Sequence, residues 1–418
     1  MNLRLVVENA RKYGLLISLK PSVPTWDARL GLLLYLITPV WLFTAYAIEK
    51  AAMERAKGVI GNRKKKDQDD KTPETEQERK AFRNTWILIA IAHTTNILLA
   101  FTVTSAIVYW AIDNPGIACF SELHIIIVGM KTCSYAFTNR DLRHAMLHPG
   151  AYDNIIPDIY SVCSYPNNIT LRNLCYFWWA PTLVYQPHYP RVDRIRWSFV
   201  FKRLGETIAL SIFIWITCAQ YAQPVLRNSL SGMASMDLIS TSERLMKLST
   251  ISLIVWLAGF FALFQSFLNL LAELLRFGDR EFYTDWWNST SFRGYWSSWN
   301  KPVYHFMRRH VHSPLVGRGY HPQLAAIAVF VVSGILHELA VGIPTKSLLG
   351  AAFFGMVFQL PLIYLTEPLQ KTKNLTLRTL GNCLFWLIFV FCGQPAAAMI
   401  YFFSWQSKFG ALAGRKVR

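Results

Sequence analysis

The residues of this 418-residue chain best suited to chemistry lie in an otherwise apolar stretch near its C-terminal end. This stretch, LAAIAVFVVSGILHELAVGIP, places His337 and Glu338 among apolar neighbours. Ionisable side chains inside a membrane span are costly and usually face the interior of a helix bundle or a wet cavity. Ser333 lies one helical turn before His337 on the same face, which favours a catalytic base at His337. A histidine that only satisfies a buried neighbour is the alternative.

The spacing of these residues does not indicate a metal site. The zinc motif HExxH requires a second histidine at position 341, which is Val341 in this chain. The seven cysteines include no CxxC pair, so neither a zinc site nor a disulfide framework is indicated. We expect no metal and no resident cofactor.

Two glutamines lie inside later apolar stretches. Gln359 occurs in GMVFQLPLIY and Gln394 in FVFCGQPAAAMIY, and each is closely followed by a proline. Proline frees a backbone carbonyl and bends a span, so both amides are predicted to share one cavity with His337. Hydrogen bonding between neighbouring helices is the alternative for each amide.

The stretch 276–321 is amphipathic and rich in aromatic residues. Positions 292, 295, 296, 299 and 303 fall on one helical face, and residues 288–291 (Asn, Ser, Thr, Ser) are N-cap candidates just before it. Such a helix is predicted to lie in the plane of the lipid headgroups rather than cross the bilayer. An aromatic belt at the membrane interface, with no part in chemistry, is the alternative.

The bulk composition requires a membrane to surround these stretches. Hydrophobic residues make up 53% of the chain and charged residues only 16%, which is more apolar than one soluble core can bury. The net charge is +18, but the basic residues lie mostly between the apolar stretches, where anionic headgroups would meet them. Binding to membrane lipids therefore explains the charge better than binding to nucleic acid.

The apolar stretches predict an all-α polytopic membrane protein with eight spans, and a ninth is possible in a broken stretch at 172–186. Residues 1–24 form an amphipathic N-terminal segment, and residues 25–418 form a single membrane domain. Residues 61–80 lack large apolar side chains and mix both charge signs, so they are predicted to be a disordered loop. The predicted spans are 30–48, 86–111, 120–137, 205–223, 251–275, 324–343, 348–366 and 380–404.

Three motifs together resemble the membrane-bound O-acyltransferase family, in its sterol and diacylglycerol acyltransferase branch. They are FYTDWWN, the following WNKPVY, and SGILHEL, which carries His337. The blocks YPNNITLRNLCYFWWAPTLVY and GQP favour the diacylglycerol enzymes over the sterol enzymes. The signature residues are Phe282, Tyr283, Asp285, Trp286, Trp287 and Asn288.

The resemblance implies a bundle of eight to nine helices around an intramembrane reaction chamber. It implies transfer of a long-chain acyl group from acyl-CoA, as co-substrate, to the hydroxyl of diacylglycerol. It also implies a homodimer or homotetramer in the endoplasmic reticulum membrane. A sterol acyltransferase is the near alternative. A transporter is the distant one, and the absence of internal repeats in the sequence argues against it.

The resemblance also suggests roles for individual residues. His337 would take the acceptor proton, Glu338 would orient the imidazole, and Asn300 would hold the thioester. Leu339 departs from the aromatic residue usual after His-Glu in the family, which is expected to alter acceptor fit. Contacts to substrate are predicted for Trp299, Ser333, Gln359 and Gln394, and to CoA phosphates or lipid headgroups for Arg308, Arg309 and Arg318.

Overall fold

The protein is almost entirely helical in a computed structural model, which describes residues 3–16, 24–68, 76–148, 158–289 and 291–410. One antiparallel bridge, between Arg191 and Phe277, is the only β pairing in these ranges. The helices are α1 (Leu3–Tyr13), α2 (Thr25–Ile37), α3 (Val40–Gln68), α4 (Glu76–Ala111), α5 (Pro115–Leu147), α6 (Leu171–Trp179), α7 (Trp197–Thr217), α8 (Gln223–Ala234), α9 (Leu238–Phe260), α10 (Leu268–Leu274), α11 (Phe292–Ser298), α12 (Lys301–Met307), α13 (Ser313–Gly317), α14 (Pro322–Gly342), α15 (Ala351–Val357), α16 (Gln359–Lys371), α17 (Leu375–Leu387) and α18 (Gln394–Phe409).

Short polar side chains set the start of several helices. At α5 the Asn114 side chain accepts hydrogen bonds from the backbone N–H groups of residues 116 and 117, and Pro115 supplies the first helical residue. At α9 Asp237 accepts from residues 239 and 240, and at α6 Thr170 accepts from residue 173. These contacts satisfy N–H groups that have no partner within the helix, so the sequence fixes where each helix begins.

Seven helical segments in the described part of the chain are long and apolar enough to cross a membrane. They confirm seven of the eight predicted spans. The remaining prediction, 205–223, falls in α7 and the turn after it. There Glu206 and Gln220 lower the mean hydropathy, although Ile208 and Ile212 are exposed. The seven segments are Thr25–Asn62, Phe82–Ala111, Pro115–Leu147, Leu238–Leu274, Pro322–Gly342, Ala351–Leu369 and Leu375–Phe409.

Two other predictions of local structure need correction. The stretch 172–186 is not a span, because its helix α6 has only nine residues and covers about 14 Å. The predicted loop at 61–80 is largely helical, since α3 continues to Gln68 and α4 begins at Glu76, while residues 69–75 lie outside the described ranges. In the N-terminal segment, α1 is helical as the amphipathic pattern predicted, and residues 1–2 and 17–23 lie outside those ranges.

Four π-helical turns occur in the described part of the chain. A π turn inserts one extra residue, so it rotates the helix faces before and after it and is frequent at functional sites. One of these turns, Arg308–His312, directly precedes α13 and contributes residues to a cavity described below. The other three are Cys218–Ala222, Phe261–Phe267 and Ile388–Gly393.

A buried polar cluster joins α3, α4 and α5. The Glu49 carboxylate is fully buried and accepts hydrogen bonds from Arg143 Nη1 and, at 3.0 Å, from the Tyr165 hydroxyl. His93 Nε2 lies 3.5 Å from the second carboxylate oxygen of Glu49. Because Arg143 is only 3% exposed, its charge and that of Glu49 depend on each other for solvation.

Asn168, Asn288 and Asn374 each begin an N-x-S/T sequon for glycosylation, and burial excludes the one at Asn168. Asn168 is 1% exposed, and its Nδ2 donates to Asn139 Oδ1 at 2.7 Å and to the Tyr185 hydroxyl at 3.0 Å. Asn288 and Asn374 are exposed, but Asn374 caps α17 through its side chain.

Candidate active site

A cavity of about 540 Å³ lies between α11, α12 and the π turn Arg308–His312 on one side and helices α14, α15 and α16 on the other. Its wall is mostly apolar, with a small number of polar groups, as is usual for sites that take small molecules. The lining residues are Arg293, Trp296, Ser297, Trp299, Asn300, Val303, Tyr304, Met307, Arg308, His312, Ala326, Val329, Phe330, Ser333, His337, Met356, Leu360, Ile363 and Tyr364.

The His337 side chain is accessible within this cavity, as predicted. Its Nδ1 lies 2.7 Å from the backbone carbonyl oxygen of Ser333, one helical turn earlier, and 3.4 Å from the Ser333 hydroxyl. A carbonyl oxygen can only accept, so Nδ1 carries the proton in the neutral ring. This hydrogen bond therefore leaves Nε2 with its lone pair, which is the form required of a general base.

Glu338 does not orient His337, contrary to the prediction. Its two carboxylate oxygens accept from the backbone N–H of Gly350 at 2.9 Å, from that of Phe353 at 3.2 Å, and from the Tyr401 hydroxyl at 2.6 Å. Adjacent residues on an α-helix point in different directions, which explains why sequence proximity misled. Glu338 instead holds the start of α15 and links α14 to α18.

Asn300 lies in the cavity wall and begins α12. Its side-chain Oδ1 accepts from the backbone N–H of Val303 at 3.2 Å, so the amide oxygen serves as an N-cap. The Nδ2 group is not part of this cap. Trp299, the residue that ends α11, lines the cavity beside it. The single helix predicted across 292–303 is therefore two short helices, and Ser291 is the N-cap of the first, as its residue type suggested.

The signature motif supports this corner of the cavity from behind. Phe282 and Trp286 are 2% and 3% exposed, and the Trp286 ring packs edge-on against Trp256 at a centroid distance of 4.6 Å. The Phe282 carbonyl accepts from the backbone N–H of Lys301 at 3.0 Å, and the Tyr283 hydroxyl donates to Gln265 Oε1 at 2.7 Å. These contacts fix the α11–α12 junction, where Trp299 and Asn300 lie.

The other half of the motif faces outward. Asp285, Trp287 and Asn288 are exposed, and none of the six motif residues lines the cavity. The motif thus positions the site without contributing to its wall. The aromatic residues on the predicted helical face are also mostly packed inside the protein, since Phe292 and Tyr295 are each 2% exposed.

Of the three arginines predicted to bind phosphate, the structure places one at the cavity. Arg308 lines it, whereas the neighbouring Arg309 turns away and donates from Nη1 to the Tyr160 hydroxyl at 2.6 Å. Arg318 is exposed outside the lining. Residues 308 and 312 face the cavity together because they lie close to one turn apart on the π-helical segment.

A further arginine, Arg293, lies in the cavity wall. It donates from Nη2 to Glu367 Oε2 at 3.3 Å. The cavity wall therefore carries two arginines, Arg293 and Arg308, as well as His337.

The two glutamines do not share one cavity, so this prediction was wrong for Gln394. Gln359 lies beside the cavity and accepts from Trp296 Nε1 at 3.4 Å. Gln394 lines a separate small recess with Trp256 and Phe389, between α9 and the start of α18. Leu339 also faces away from the cavity and packs among residues of α4, α5 and α14, so it does not contact a ligand there.

Besides Tyr364 on α16, sequence reasoning missed four polar residues of the wall, namely Arg293, Ser297, Tyr304 and His312. They were visible as polar residues in the stretch 276–321, but only the two short helices and the π turn show which of them face inward. Arg293 lies one residue after Phe292, which is fully buried on the opposite side. The sequence pattern did not show that α11 ends at residue 299, so it could not show which polar side chains face the cavity.

The back of the π turn is fixed by His310. Its Nε2 lies 2.7 Å from the Ser134 hydroxyl, which also accepts from the backbone N–H of Tyr185 at 2.8 Å. Burial, together with the nearby charges of Arg309 and Arg140, lowers the pKa of His310 to about 3. The neutral ring thus shares a hydrogen bond with the Ser134 hydroxyl and holds the turn that carries Arg308 and His312.

These features define a cavity, lined in part by membrane-span helices, whose wall carries an accessible histidine and two arginines. The chain belongs to the membrane-bound O-acyltransferase family, whose profile matches residues 22–403.

Its relatives in this family include several diacylglycerol O-acyltransferases. Diacylglycerol O-acyltransferase 1A of Glycine max is 32% identical over 425 residues, which cover 99% of this chain and 77% of that protein. Diacylglycerol O-acyltransferase 1-2 of Oryza sativa subsp. japonica is 34% identical over 96% of this chain and 78% of its own length. Diacylglycerol O-acyltransferase 1 of Dictyostelium discoideum is 34% identical over 96% of this chain, which spans 59% of that protein's length.

Proposed function

We propose that this protein is an acyl-CoA:diacylglycerol O-acyltransferase, in which His337 is the general base. The observation that carries the proposal is the hydrogen bond from His337 Nδ1 to the Ser333 carbonyl, because it leaves Nε2 as a proton acceptor at the cavity wall. The names of the relatives supply the acceptor, diacylglycerol. The mixed apolar and polar wall suits a lipid with one reactive hydroxyl.

In the proposed reaction, Nε2 of His337 takes the proton from the diacylglycerol hydroxyl as its oxygen attacks the thioester carbonyl carbon. The carbonyl oxygen becomes an oxyanion, and a donor is needed at that position. Collapse of the intermediate breaks the carbon–sulfur bond and forms the ester. The thiolate of CoA leaves and receives the proton from the imidazolium, so the base is regenerated.

Asn300 is the proposed donor to the thioester or its oxyanion. It lies in the same wall as His337, and its cap uses only the amide oxygen, so Nδ2 is not engaged by the helix start. Trp299 and the signature motif fix this junction, which would hold the amide in place through the reaction. Ser333 sets the imidazole tautomer through its backbone, so its side chain contributes less.

The two arginines of the cavity wall are the proposed binding groups for the CoA phosphates. Arg293 and Arg308 present guanidinium groups, which bind phosphate oxygens in a two-pronged geometry. The pantetheine arm would then lie in the cavity beside α14, with its thioester at His337. Arg293 is bound to Glu367 in the free protein, in a partly exposed pair that contributes little energy and can exchange for phosphate.

The cellular setting proposed for this reaction is the endoplasmic reticulum membrane. We also propose that the protein assembles as a homodimer or homotetramer, following the resemblance drawn from its motifs. No resident metal or cofactor is required by the proposed chemistry, since thiolate is already a good leaving group.

The test is an assay with membranes that contain the expressed protein and no other neutral-lipid acyltransferase. Labelled oleoyl-CoA is offered with diacylglycerol, with a sterol, or with neither acceptor. We expect label in triacylglycerol only, with at least tenfold preference over steryl ester. Equal labelling of steryl ester would overturn the acceptor assignment, and no transfer of label from oleoyl-CoA to either acceptor would overturn the donor.

A further inference from the structure

A second site lies outside the cavity, in an open basic cleft. Its lining residues are Val192, Asp193, Arg194, Arg196, Gly278 and Arg280, and none of these belongs to the wall around His337. Three guanidinium groups therefore converge on one cleft. The acyltransfer mechanism makes no use of it.

The two backbone segments that form the cleft are held rigidly together. The backbone N–H of Gly278 donates to the Pro190 carbonyl at 2.8 Å, and that of Val192 donates to the Arg276 carbonyl at 3.0 Å. A Cβ at position 278 would lie 3.0 Å from the Pro190 oxygen, so the close approach of the segments needs glycine. The cleft is thus preformed, which lowers the entropic cost of binding a ligand.

One buried carboxylate fixes two of the arginines. Glu273 is fully buried and accepts from Arg196 Nη2 at 2.9 Å, from the backbone N–H of Arg196 at 2.7 Å, and from Arg280 Nη1. Arg280 Nη2 is buried and has no hydrogen-bond partner in the described part of the chain, so this arm does not open to the cleft. The anion-binding character of the cleft comes instead from the exposed Arg194 beside two arginines that Glu273 holds in place.

The charge of the cleft also favours an anion. The cleft contains three positive charges, on Arg194, Arg196 and Arg280, and two negative charges, on Asp193 and Glu273. Its net charge is therefore +1. Arg191 and Arg276, in the adjoining bridge, increase the positive potential. A phosphate group, with several acceptor oxygens, matches this arrangement of donors.

The surroundings of the cleft point to lipid as the source of the phosphate. Helix α7 begins one residue after Arg196, and its first turns carry Trp197 and Phe201, which are 58% and 67% exposed. Further along, Ile208 and Ile212 are exposed on the same helix. An aromatic residue at the start of an apolar helix is typical of the headgroup level of a bilayer.

We propose that this cleft binds the phosphate headgroup of an anionic phospholipid. The phosphate occupies the space between Arg194 and Arg280, and the acyl chains follow the exposed apolar face of α7. The site is independent of the acyltransfer reaction, so its test does not depend on activity.

The experiment uses the purified full chain in detergent micelles, titrated with fluorescently labelled phosphatidic acid. The first variant is Arg194→Gln, because Arg194 is exposed and is not a partner of Glu273. The second is Arg280→Lys, which keeps a positive charge beside Glu273 but removes the second guanidinium arm. We expect each variant to bind about fivefold more weakly, in line with the loss of one basic contact at a membrane surface. Arg378→Gln, an exposed arginine on α17, is the matched control and should bind as the wild type does.

Competition distinguishes the source of the phosphate. Glycerol 3-phosphate and inorganic phosphate are expected to compete at least tenfold more weakly than unlabelled phosphatidic acid. Equal competition by the soluble phosphates would overturn the assignment to lipid. Wild-type affinity in both cleft variants, or an equal loss in Arg378→Gln, would overturn the site itself.

Discussion

His93 and His337 both lie within candidate membrane spans, yet their surroundings differ. His93 is 7% exposed and lies 3.5 Å from a Glu49 oxygen, inside a cluster completed by Arg143 and Tyr165. His337 Nδ1 is hydrogen-bonded to the backbone carbonyl of Ser333, and the imidazole ring lines the cavity. The carboxylate that lies close to a histidine is therefore Glu49 beside His93, whereas His337 differs from His93 in lining a cavity that a ligand can enter.

The strongest way to test this comparison is to replace each histidine. In His337→Ala we expect the turnover number to fall by about 10²–10⁴, because the proton acceptor is lost. His93→Gln should keep the turnover number per folded molecule within a few fold, although it lowers stability. The measurement is triacylglycerol synthesis in membranes, normalised to the amount of folded protein. Near-normal turnover in His337→Ala would show that His337 is not the general base.

The second prediction concerns the energy of the Glu49 cluster. Arg143→Met leaves the buried Glu49 carboxylate without its main positive partner, so we expect a loss of about 3–5 kcal/mol in the free energy of unfolding. The double variant Glu49→Leu with Arg143→Met should recover most of that loss, because no buried charge remains. Thermal unfolding in detergent measures both. Equal stability of the single and double variants would contradict a paired role.

The third prediction separates Glu338 from the chemistry. Glu338→Gln replaces a carboxylate that accepts from Gly350, Phe353 and Tyr401 by an amide with one acceptor oxygen, so we expect about 1–3 kcal/mol of destabilisation. The turnover number of the folded fraction should change only a few fold, since this carboxylate bonds the start of α15. Tyr401→Phe is a milder control. A drop in turnover as large as that of His337→Ala, without loss of stability, would restore the role of orienting the imidazole.

The smallest expected effect is the pH dependence due to His310. Its pKa is lowered in the folded state to about 3, so the unfolded chain binds more protons between that value and about 6.5. The contribution of His310 to the free energy of unfolding is therefore fully present above about pH 6.5 and is lost as the pH falls. Ser134, Phe137, Phe306, Arg309 and Arg140 surround it.

Between pH 6.5 and 5, the free energy of unfolding of His310→Gln should fall by about 1 kcal/mol less than that of the wild type. The measurement is thermal unfolding across this range, with wild type and variant in the same detergent. An identical pH slope in both proteins would show that His310 does not contribute.

Much of the architecture followed from local sequence features. Seven of the eight predicted spans are present, because about twenty apolar residues in a row require little else to form a helix. The accessible position of His337 also followed, since an ionisable residue in such a helix must face a cavity.

The remaining features depend on contacts far apart in the chain. Glu338 finds Tyr401 sixty-three residues later, and nothing in the local sequence reveals that pairing. Arg308 and Arg309 are neighbours of the same type, and only the π turn shows which one faces the cavity. Gln394 was assigned to the wrong cavity for the same reason. The sequence of a span does not show which way a side chain points until the positions of the neighbouring helices are known.

The cluster around Glu49 also has a consequence for biogenesis. Glu49 enters the bilayer with α3, but its partner Arg143 lies 94 residues further along, at the end of α5. A charged residue near the middle of an inserting helix costs about 3 kcal/mol when it is alone. We therefore expect α3, α4 and α5 to leave the insertion machinery together, as one unit, rather than partition into lipid one helix at a time.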